Sequence, residues 1–398
     1  MGEGRSFGMD VWMNLLVCPK CSGGLLLESF EWDDHGLCRE GVLTCRVCRQ
    51  WYPITHGVPR LFLPGPLRPD DRPFLARWGD RFERPASTLD KVDQPVTGDL
   101  TQVQATFGYK WTRLNRWRMA GESARLVEEW LLPRYGWQDQ SAYEAFMLTR
   151  SRMLDAGCGL GRESFRMARA NPRALVIGLE LSECVDEAIG YARKHGVANA
   201  FFVQGDLRVL PLKHASFDFI LSEGVLHHTE DTQKALSALI PLLAPGGEIA
   251  FYVYRRKAPL REYADDFVRS LLQDLTPAEA WNTMESLTRL AKALSDLKVE
   301  IDVPEDVPVL GIRTGRYDIQ RLIYYTMFKC YWNDRLSFEE NVQVNFDWYA
   351  PRYSWRHTQE EVQGWIAGAG LRTMHETVDE SGITVRAELP MSRPRVMP

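Results

Sequence analysis

The segment SRMLDAGCGLGRESFRMARA places a glycine-rich turn between a short apolar run and a helical pattern. The apolar run ends at Asp155, and Gly157, Gly159 and Gly161 follow at alternate positions. Because glycine lacks a Cβ atom, these positions permit a sharp turn and let a ligand approach the backbone. The third glycine of a dinucleotide fingerprint would fall on Arg162, so the pattern fits a pyrophosphate poorly. The segment predicts the first strand, turn and helix of an α/β domain.

Further strand patterns follow the first at regular intervals. ALVIGLELS ends in Glu180 and FFVQGDL ends in Asp206, while SFDFILSEGVLHHTED and EIAFYVY supply a fourth and a fifth strand. This alternation of strand and helix predicts a doubly wound, parallel sheet, whose ligands bind beyond the carboxyl ends of the strands. A single acid at a strand end is as often a helix cap. Several in register predict a common ligand site, where a carboxylate can accept hydrogen bonds from both hydroxyls of a ribose.

The D-x-G-x-G-x-G spacing that starts at Asp155 resembles motif I of class I S-adenosylmethionine-dependent methyltransferases. The likeness, to their UbiE-like, small-molecule branch, covers residues 152–254. It implies S-adenosylmethionine as cofactor and a mostly parallel seven-stranded sheet, with RTMHETV and ITVRAEL as the antiparallel sixth and seventh strands. In that family the position of Asp206 contacts the adenine amino group. The cofactor-binding residues implied by the resemblance are Asp155, Gly157, Cys158, Gly159, Gly161, Glu180, Leu181, Asp206, Leu207 and Ser222.

The loop from Ser222 to His228 follows the fourth strand and is expected to border the reactive methyl group. Where amine and base methyltransferases often carry an Asn/Asp-Pro-Pro-aromatic sequence, this chain reads SEGV, which disfavours amide, adenine or cytosine methylation. His227, His228 and Glu223 are the candidate catalytic residues, and the two histidines match the LHH signature of the resembling family. A histidine titrates near neutrality and could remove a proton from a hydroxyl or an acidic carbon. The alternative is that these side chains only hydrogen-bond within the loop and border the cofactor.

Two CxxC pairs near the start of the chain, Cys18 with Cys21 and Cys45 with Cys48, have the spacing of a four-thiolate zinc site. Each pair directs two thiolates at one point, and two pairs complete a tetrahedron around Zn²⁺. Such a site is closed, so its metal would stabilise a domain too small to hold a core unaided. A redox pair is the alternative, although no thioredoxin-like βαβ pattern surrounds either CxxC. Cys38 is predicted to be a bystander.

The sequences LLVCPKCSGGLLL and LTCRVCRQWYPITHGVPRLF resemble the zinc-ribbon family of small activator subunits that partner tRNA, ribosomal and release-factor methyltransferases. The likeness covers Leu15 to Leu63. Tyr52, Pro53, Gly57 and Pro59 match the YPI-x-x-G-x-P tail of that family. The resemblance implies a module attached to a methyltransferase.

Composition and periodicity divide the chain into regions. Residues 1–65 are predicted to form the ribbon, and residues 66–100, which are rich in Pro, Asp and Arg, a linker. A helical cap is predicted at 101–150, the methyltransferase core at 151–254 and 362–390, and a lid insertion at 255–361. The insertion is far longer than an ordinary connection and is expected to cover the active site.

The second half of the lid is unusually aromatic. Its rings could line a pocket that stacks on a sugar or an aromatic acceptor, or they could form a core beneath the lid. The Pro and polar content of FDWYAPRYSWRHT favours an exposed loop that faces the cleft. The aromatic residues concerned are Tyr324, Tyr325, Trp332, Trp348, Tyr349, Tyr353 and Trp355.

The cap segment KWTRLNRWR interleaves aromatic and basic residues, as nucleic-acid binders do. At helical spacing Trp111 and Trp117 share one side, which predicts an ordinary surface helix with a solvated basic face. The basic residues concerned are Lys110, Arg113, Arg116 and Arg118.

Bulk properties narrow the function. The net charge of −5 disfavours a nucleic-acid partner, and no apolar run is long enough to cross a bilayer. The start MGEGRSFGMD has no secretory character, so a cytoplasmic protein is expected, with a homo-oligomer as one option for its assembly. The favoured function is O- or C-methylation of a small molecule or glycan intermediate. The alternatives are an RNA methyltransferase that docks its substrate through the ribbon, and a catalytically silent homologue that docks another protein.

Overall fold

The computed structural model describes residues 8–34, 36–64, 68, 71–83, 98–114 and 122–391. Its strands are β1 Leu25–Trp32, β2 Cys38–Cys45, β3 Trp51–Thr55, β4 Val58–Leu61, β5 Arg152–Ala156, β6 Leu175–Glu180, β7 Ala200–Gly205, β8 Phe217–Glu223, β9 Leu243–Tyr254, β10 Glu300–Val303, β11 Gly315–Asp318, β12 Arg372–Val378 and β13 Gly382–Glu388. Its helices are α1 Met9–Met13, α2 Asp71–Trp78, α3 Gly98–Leu114, α4 Glu122–Arg134, α5 Gln140–Met147, α6 Arg162–Ala170, α7 Val185–Lys194, α8 Thr232–Leu239, α9 Pro259–Leu272, α10 Pro277–Asp296, α11 Ile319–Thr326, α12 Phe338–Tyr349 and α13 Gln359–Gly368. None of these helices has both the length and the apolar character needed to span a bilayer.

The predicted doubly wound sheet is present. Its order is β7-β6-β5-β8-β9-β13-β12, with parallel pairing from β7 to β9 and an antiparallel pair, β12 and β13, at the far edge. The strands β6 and β7 are buried at every position, as expected for a sheet covered on both faces. The carboxyl ends of β5, β6, β7 and β8 therefore share one edge, where the predicted site residues lie.

The ribbon extends this sheet. Its four antiparallel strands, β1 to β4, precede the seven core strands in one eleven-stranded sheet, because β4 pairs with β7 in parallel. The partners are Arg60 with Gln204 and Leu61 with Gly205. The sequence predicts two separate sheets, and the structure joins them through the edge of β7 that the core leaves open.

The predicted linker contains a helix. In α2 the buried Phe74 stacks on Trp51 of β3 with ring centroids 6.3 Å apart, and Trp78 stacks on Phe30 of β1 at 5.1 Å. The aromatic residues of α2 thus cover the outer face of the ribbon, although the segment shows no sustained apolar period.

The cap consists of α3, α4 and α5, and the lid consists of α9 to α12 with a small β10–β11 hairpin. Arg116, Trp117 and Arg118 of the cap segment KWTRLNRWR lie outside the described residues. Capping boxes at Thr276 and Ser337 fix the starts of α10 and α12. The lid packs on the cap through its own apolar core.

The expectation of an exposed aromatic loop is wrong for its first part. Trp348 and Tyr349 end α12 and are 2% and 0% exposed. Their polar atoms both donate to the buried carboxylate of Asp265, from Trp348 Nε1 at 2.7 Å and from Tyr349 Oη at 2.6 Å. These hydrogen bonds let the two polar rings lie in the core. Trp355 is exposed, as predicted.

Candidate functional site

The carboxyl ends of the core strands open into a cavity of about 550 Å³. Gly157, Glu180 and Asp206 line it from three successive strand ends, Glu223 lines it from the end of β8, and His228 lines it from the loop that follows. Leu181 and Leu207 also belong to its wall. Side chains of the cap and the lid close the opposite side, among them Lys110, Trp111, Tyr324, Lys329, Tyr331 and Tyr353.

The glycine turn has the backbone that the sequence predicts. Gly157, Gly159 and Gly161 all have positive φ, at 86°, 54° and 81°. A Cβ atom on Gly157 would lie 2.4 Å from Val225, and one on Gly159 would lie 3.1 Å from the Trp111 ring. A side chain at either position would therefore force neighbouring atoms apart, in addition to straining the backbone.

Asp155 lies behind the cavity wall rather than in it. Its carboxylate is 3% exposed and accepts a hydrogen bond of 2.7 Å from Ser164 Oγ in α6. Burial raises the pKa of Asp155 to about 7. Its contact is with the helix that follows the glycine turn, so Asp155 fixes the position of that helix.

Glu180 binds the glycine turn directly. Its Oε2 accepts from Gly159 N at 2.9 Å, and its Oε1 accepts from Ser182 N at 2.9 Å and Ser182 Oγ at 2.8 Å. Since a carboxylate offers about four acceptor positions, these bonds orient the group and leave capacity toward the cavity. Asp206 is held in a different way, because Arg208 donates to it from Nε at 2.9 Å and from Nη2 at 2.7 Å.

Glu223 forms a buried polar cluster that the sequence does not reveal. Tyr135 Oη donates to its carboxylate, and Arg134 Nη1 lies 3.8 Å from it. Burial raises the pKa of Glu223, while the charge of Arg134 and the hydrogen bond from Tyr135 act in the opposite direction. A pair 88 residues apart in sequence leaves no local signal.

The two candidate histidines have different surroundings. His227 is 0% exposed and its ring lies 3.8 Å from that of Tyr254, centroid to centroid, outside the cavity wall. His228 lines the cavity, and its Nδ1 lies 2.7 Å from the carbonyl oxygen of Tyr353. That contact makes Nδ1 the protonated donor and leaves Nε2 as the acceptor. Burial lowers the pKa of both rings, that of His228 to about 3, so both are neutral at neutral pH.

The remaining predicted residues support the wall from behind. Ser222 is fully buried and donates to the carbonyl of Ala156 at 2.9 Å. Cys158 is 8% exposed, and Gly161 begins α6. Tyr252 and Tyr254 also line the cavity, although the sequence analysis does not single them out. They lie two residues apart at the end of β9 and therefore on the same face of the sheet, a pattern from which they could be predicted.

The basic face of the cap departs from expectation. Lys110 is 6% exposed and pairs with Asp347 of the lid at 2.9 Å, because α3 runs beneath the lid rather than along the surface. Its Nζ also lies 4.0 Å from the centre of the Trp111 ring. The helix thus presents a basic and an aromatic group to the cavity.

The four ribbon cysteines converge as predicted. The Sγ atoms of Cys18, Cys21, Cys45 and Cys48 all lie within 4.8 Å of one another. Cys18 to Cys48 is 3.6 Å and Cys21 to Cys45 is 3.5 Å, close to the roughly 3.7 Å between sulfurs 2.3 Å from a tetrahedral Zn²⁺. Tyr52 Oη, 3.0 Å from Cys18 Sγ, supplies a hydrogen-bond donor to that thiolate. The donor set fits zinc with no open coordination position.

The strand order and the cavity at the carboxyl ends of the strands define a doubly wound α/β domain. Residues 149–297 match the family described as "Methyltransferase domain", and residues 12–57 match "Trm112p-like protein". The chain therefore carries a methyltransferase domain preceded by a Trm112p-like domain.

Individual relatives match parts of the chain. A phthiotriol/phenolphthiotriol dimycocerosates methyltransferase of Mycobacterium leprae is 29% identical over 132 residues, 33% of this chain and 48% of that protein. The 27-O-demethylrifamycin SV methyltransferase of Amycolatopsis mediterranei is 38% identical over 101 residues, 25% of this chain and 37% of that protein. The chain thus spans less than half the length of these curated relatives. The structure of Burkholderia thailandensis 1,6-didemethyltoxoflavin-N1-methyltransferase is similar, with a TM-score of 0.41 and 15% identity. The alignment covers 75% of this chain and 93% of the Burkholderia protein.

Proposed function

We propose that this chain transfers the methyl group of S-adenosylmethionine to an oxygen or carbon atom of a small molecule or glycan intermediate. One observation carries the proposal: the acidic strand ends at Glu180 and Asp206 share a single cavity with His228 and with the aromatic residues of the lid. A cofactor on the strand ends and an acceptor under the lid would therefore meet at the loop after β8.

The part of the cavity at the strand ends, where the cofactor would bind, is lined by side chains that the protein already holds in position. Glu180 is oriented by three hydrogen bonds and would accept from the ribose hydroxyls, while Asp206 would accept from the adenine amino group. S-adenosylmethionine would supply a sulfonium methyl group for an in-line transfer. The protein would contribute mainly position and exclusion of water.

The acceptor half has groups that orient a hydroxyl or an acidic carbon. His228 stays neutral, and its Nε2 can accept a hydrogen bond from the acceptor. A ring of such low pKa is a weak base, so His228 would orient the acceptor rather than hold its proton. Two relatives, a phthiotriol/phenolphthiotriol dimycocerosates methyltransferase and a 27-O-demethylrifamycin SV methyltransferase, support a small-molecule acceptor.

Thermal unfolding with S-adenosylhomocysteine tests the cofactor site. We expect a concentration-dependent rise in Tm for the wild type, a loss of about tenfold or more in affinity for Glu180→Gln, and no change for the exposed Glu305→Gln. Equal affinities in all three proteins would contradict the assignment of Glu180.

A labelled methyl donor then tests the acceptor class. Incorporation into the small-molecule fraction of a cell extract supports the proposal, whereas incorporation into bulk RNA would overturn it. Cofactor binding without any transfer, together with a co-purifying protein, would favour the silent homologue instead.

A further inference from the structure

Lys329 is a buried lysine at the lid end of the cavity. It follows α11, is 5% exposed, and its side chain forms part of the cavity wall. Its Nζ lies 4.6 Å from the centre of the Trp348 ring. Among the described residues no carboxylate, carbonyl or hydroxyl forms an ion pair or hydrogen bond with this Nζ. A buried cation without a partner is costly, and such groups are kept mainly at functional sites.

The backbone holds Lys329 in a fixed position. Its N–H lies 2.9 Å from both Asp265 Oδ1 and Tyr349 Oη, and its carbonyl oxygen lies 3.0 Å from Tyr349 Oη. Asp265 is itself held by Arg261, whose Nε lies 3.1 Å from Oδ2. These bonds fix the backbone from which the Lys329 side chain extends to the cavity wall.

The charges around Lys329 leave a positive surplus. Arg261 pairs with Asp265, and Lys110 pairs with Asp347, so the two nearby carboxylates each already have a cation. Burial and the charge of Arg261 lower the pKa of Lys329 to about 7, against the opposing effect of Asp347 and Asp265. Within this group around Lys329, the three cations Lys329, Arg261 and Lys110 outnumber the two carboxylates by one.

Lys329 lines the cavity from the lid, whereas Glu180 and Asp206 line it from the core strands. Its Nζ lies 4.6 Å from the centre of the Trp348 ring, and that ring lies 4.5 Å from Tyr254 at the end of β9. The lysine is therefore placed to bind the part of the acceptor that contacts the lid.

We infer that Lys329 binds an anionic group, a carboxylate or a phosphate, on the methyl acceptor, and that the acceptor is therefore an anion with an apolar or aromatic body. The inference rests on the proposed function, because it takes the cavity to be the acceptor site. An anion would neutralise the surplus cation, and its affinity would rest on a charge-assisted hydrogen bond formed in a desolvated site. The tyrosines around the cavity would pack on the rest of the molecule.

Matched ligands test this directly on the full chain saturated with S-adenosylhomocysteine. The probes are 4-hydroxybenzoate, phenyl phosphate and the neutral 4-hydroxybenzamide, with affinities measured by calorimetry. We expect the wild type to bind at least one anion about tenfold more tightly than the amide, more so at pH about 6 than at about 8.5. Lys329→Met should abolish the preference, Lys329→Arg should retain it in part, and the exposed Lys234→Met should leave it unchanged.

The two proposals fail in different ways. If the wild type and Lys329→Met are both stabilised by S-adenosylhomocysteine but no anion is preferred or bound, the anion site is refuted while the cofactor site stands. If the wild type does not bind S-adenosylhomocysteine, the proposed function fails first. An unchanged anion preference in Lys329→Met would also overturn the inference. If the preference is lost in that variant, the anion that the wild type binds more tightly shows whether the site prefers a carboxylate or a phosphate.

Discussion

Arg60 of the ribbon and Asp186 of the methyltransferase core form an ion pair, with Arg60 Nη2 2.5 Å from Asp186 Oδ1. Arg60 is 4% exposed and also donates from Nη1 to Gln204 Oε1 at 3.0 Å. The same residue pairs with Gln204 in the ladder between β4 and β7. Ribbon and core thus share a sheet and a buried polar contact, which makes the ribbon a structural extension of the core.

Arg60→Met is therefore expected to destabilise the whole chain. It removes donors from Gln204 and Asp186 and should lower the free energy of unfolding by about 2–3 kcal/mol. The side chain of Asp186 is one-third exposed and can turn to water, which limits the loss. Urea unfolding measures it, with the exposed Arg289→Met as control. Equal stability of the two variants would show that the pair contributes nothing.

Removal of zinc is expected to weaken cofactor binding as well as the ribbon. The paired residues Gln204 and Gly205 immediately precede Asp206, so unfolding of β4 would free the strand end that carries this acid. We expect about one zinc per chain and, after chelation, a roughly five- to tenfold loss of affinity for S-adenosylhomocysteine.

Two serine variants serve as controls for this experiment. Cys45→Ser should reproduce the effect of chelation, whereas Cys38→Ser should keep its zinc, because Cys38 lies outside the four-sulfur cluster. Undiminished cofactor affinity in a metal-free protein with an unfolded ribbon would show that the β4 pairing does not matter to the site.

The features predicted from sequence are those with a local cause. A glycine turn requires particular residues at fixed spacing, and Gly157, Gly159 and Gly161 adopt the expected positive φ. A four-thiolate site requires only that the two CxxC pairs lie close together, and their four sulfur atoms form one cluster. The position of the acids that end β6 and β8 follows from the geometry of parallel strands, and Glu180 and Glu223 both line the cavity.

The features that could not be predicted from the sequence depend on which distant part of the chain packs over a residue. Helical periodicity assigns Lys110 to a polar face, but it cannot show that the lid lies over that face and supplies Asp347. The same limit applies to Trp348, whose burial depends on Asp265, 83 residues earlier. Lys329 belongs to no motif, and its position depends on Asp265 of α9 and Tyr349 of α12, which bind its backbone N–H.

Asp155 provides a test of whether a buried acid acts by charge or by position. Asp155→Ala leaves Ser164 Oγ without its acceptor and should lower the affinity for S-adenosylhomocysteine about tenfold or more. Because burial raises the pKa of Asp155 to about 7, a neutral amide is a close substitute, and Asp155→Asn should stay within about threefold of wild type.

Ser164→Ala is the matched variant for this prediction, since it removes the donor of the same hydrogen bond. It should lose affinity to a similar degree as Asp155→Ala. If Asp155→Asn instead loses as much as Asp155→Ala, the negative charge is required, and Asp155 would contact the cofactor itself.

His228 should make the protein sensitive to acid. Folded His228 is neutral down to pH about 3, whereas the unfolded chain takes up a proton below about 6.5. The unfolded state therefore binds more protons between these values, and stability falls as the pH falls. As the pH is lowered across this window, the unfolding free energy of the wild type should fall by about 1.4 kcal/mol more per pH unit than that of His228→Asn.

The difference between wild type and His228→Asn isolates this residue from other buried groups. His227 and His357 also have lowered pKa values and add slopes of the same sign, but they are present in both proteins. An amide at position 228 can still donate to the Tyr353 carbonyl, so the loop should keep its shape. Urea unfolding at a series of pH values gives the two curves, with the exposed His195→Asn as control. Parallel curves for wild type and His228→Asn would mean that His228 titrates alike in the folded and unfolded states, which would contradict a ring held neutral by burial.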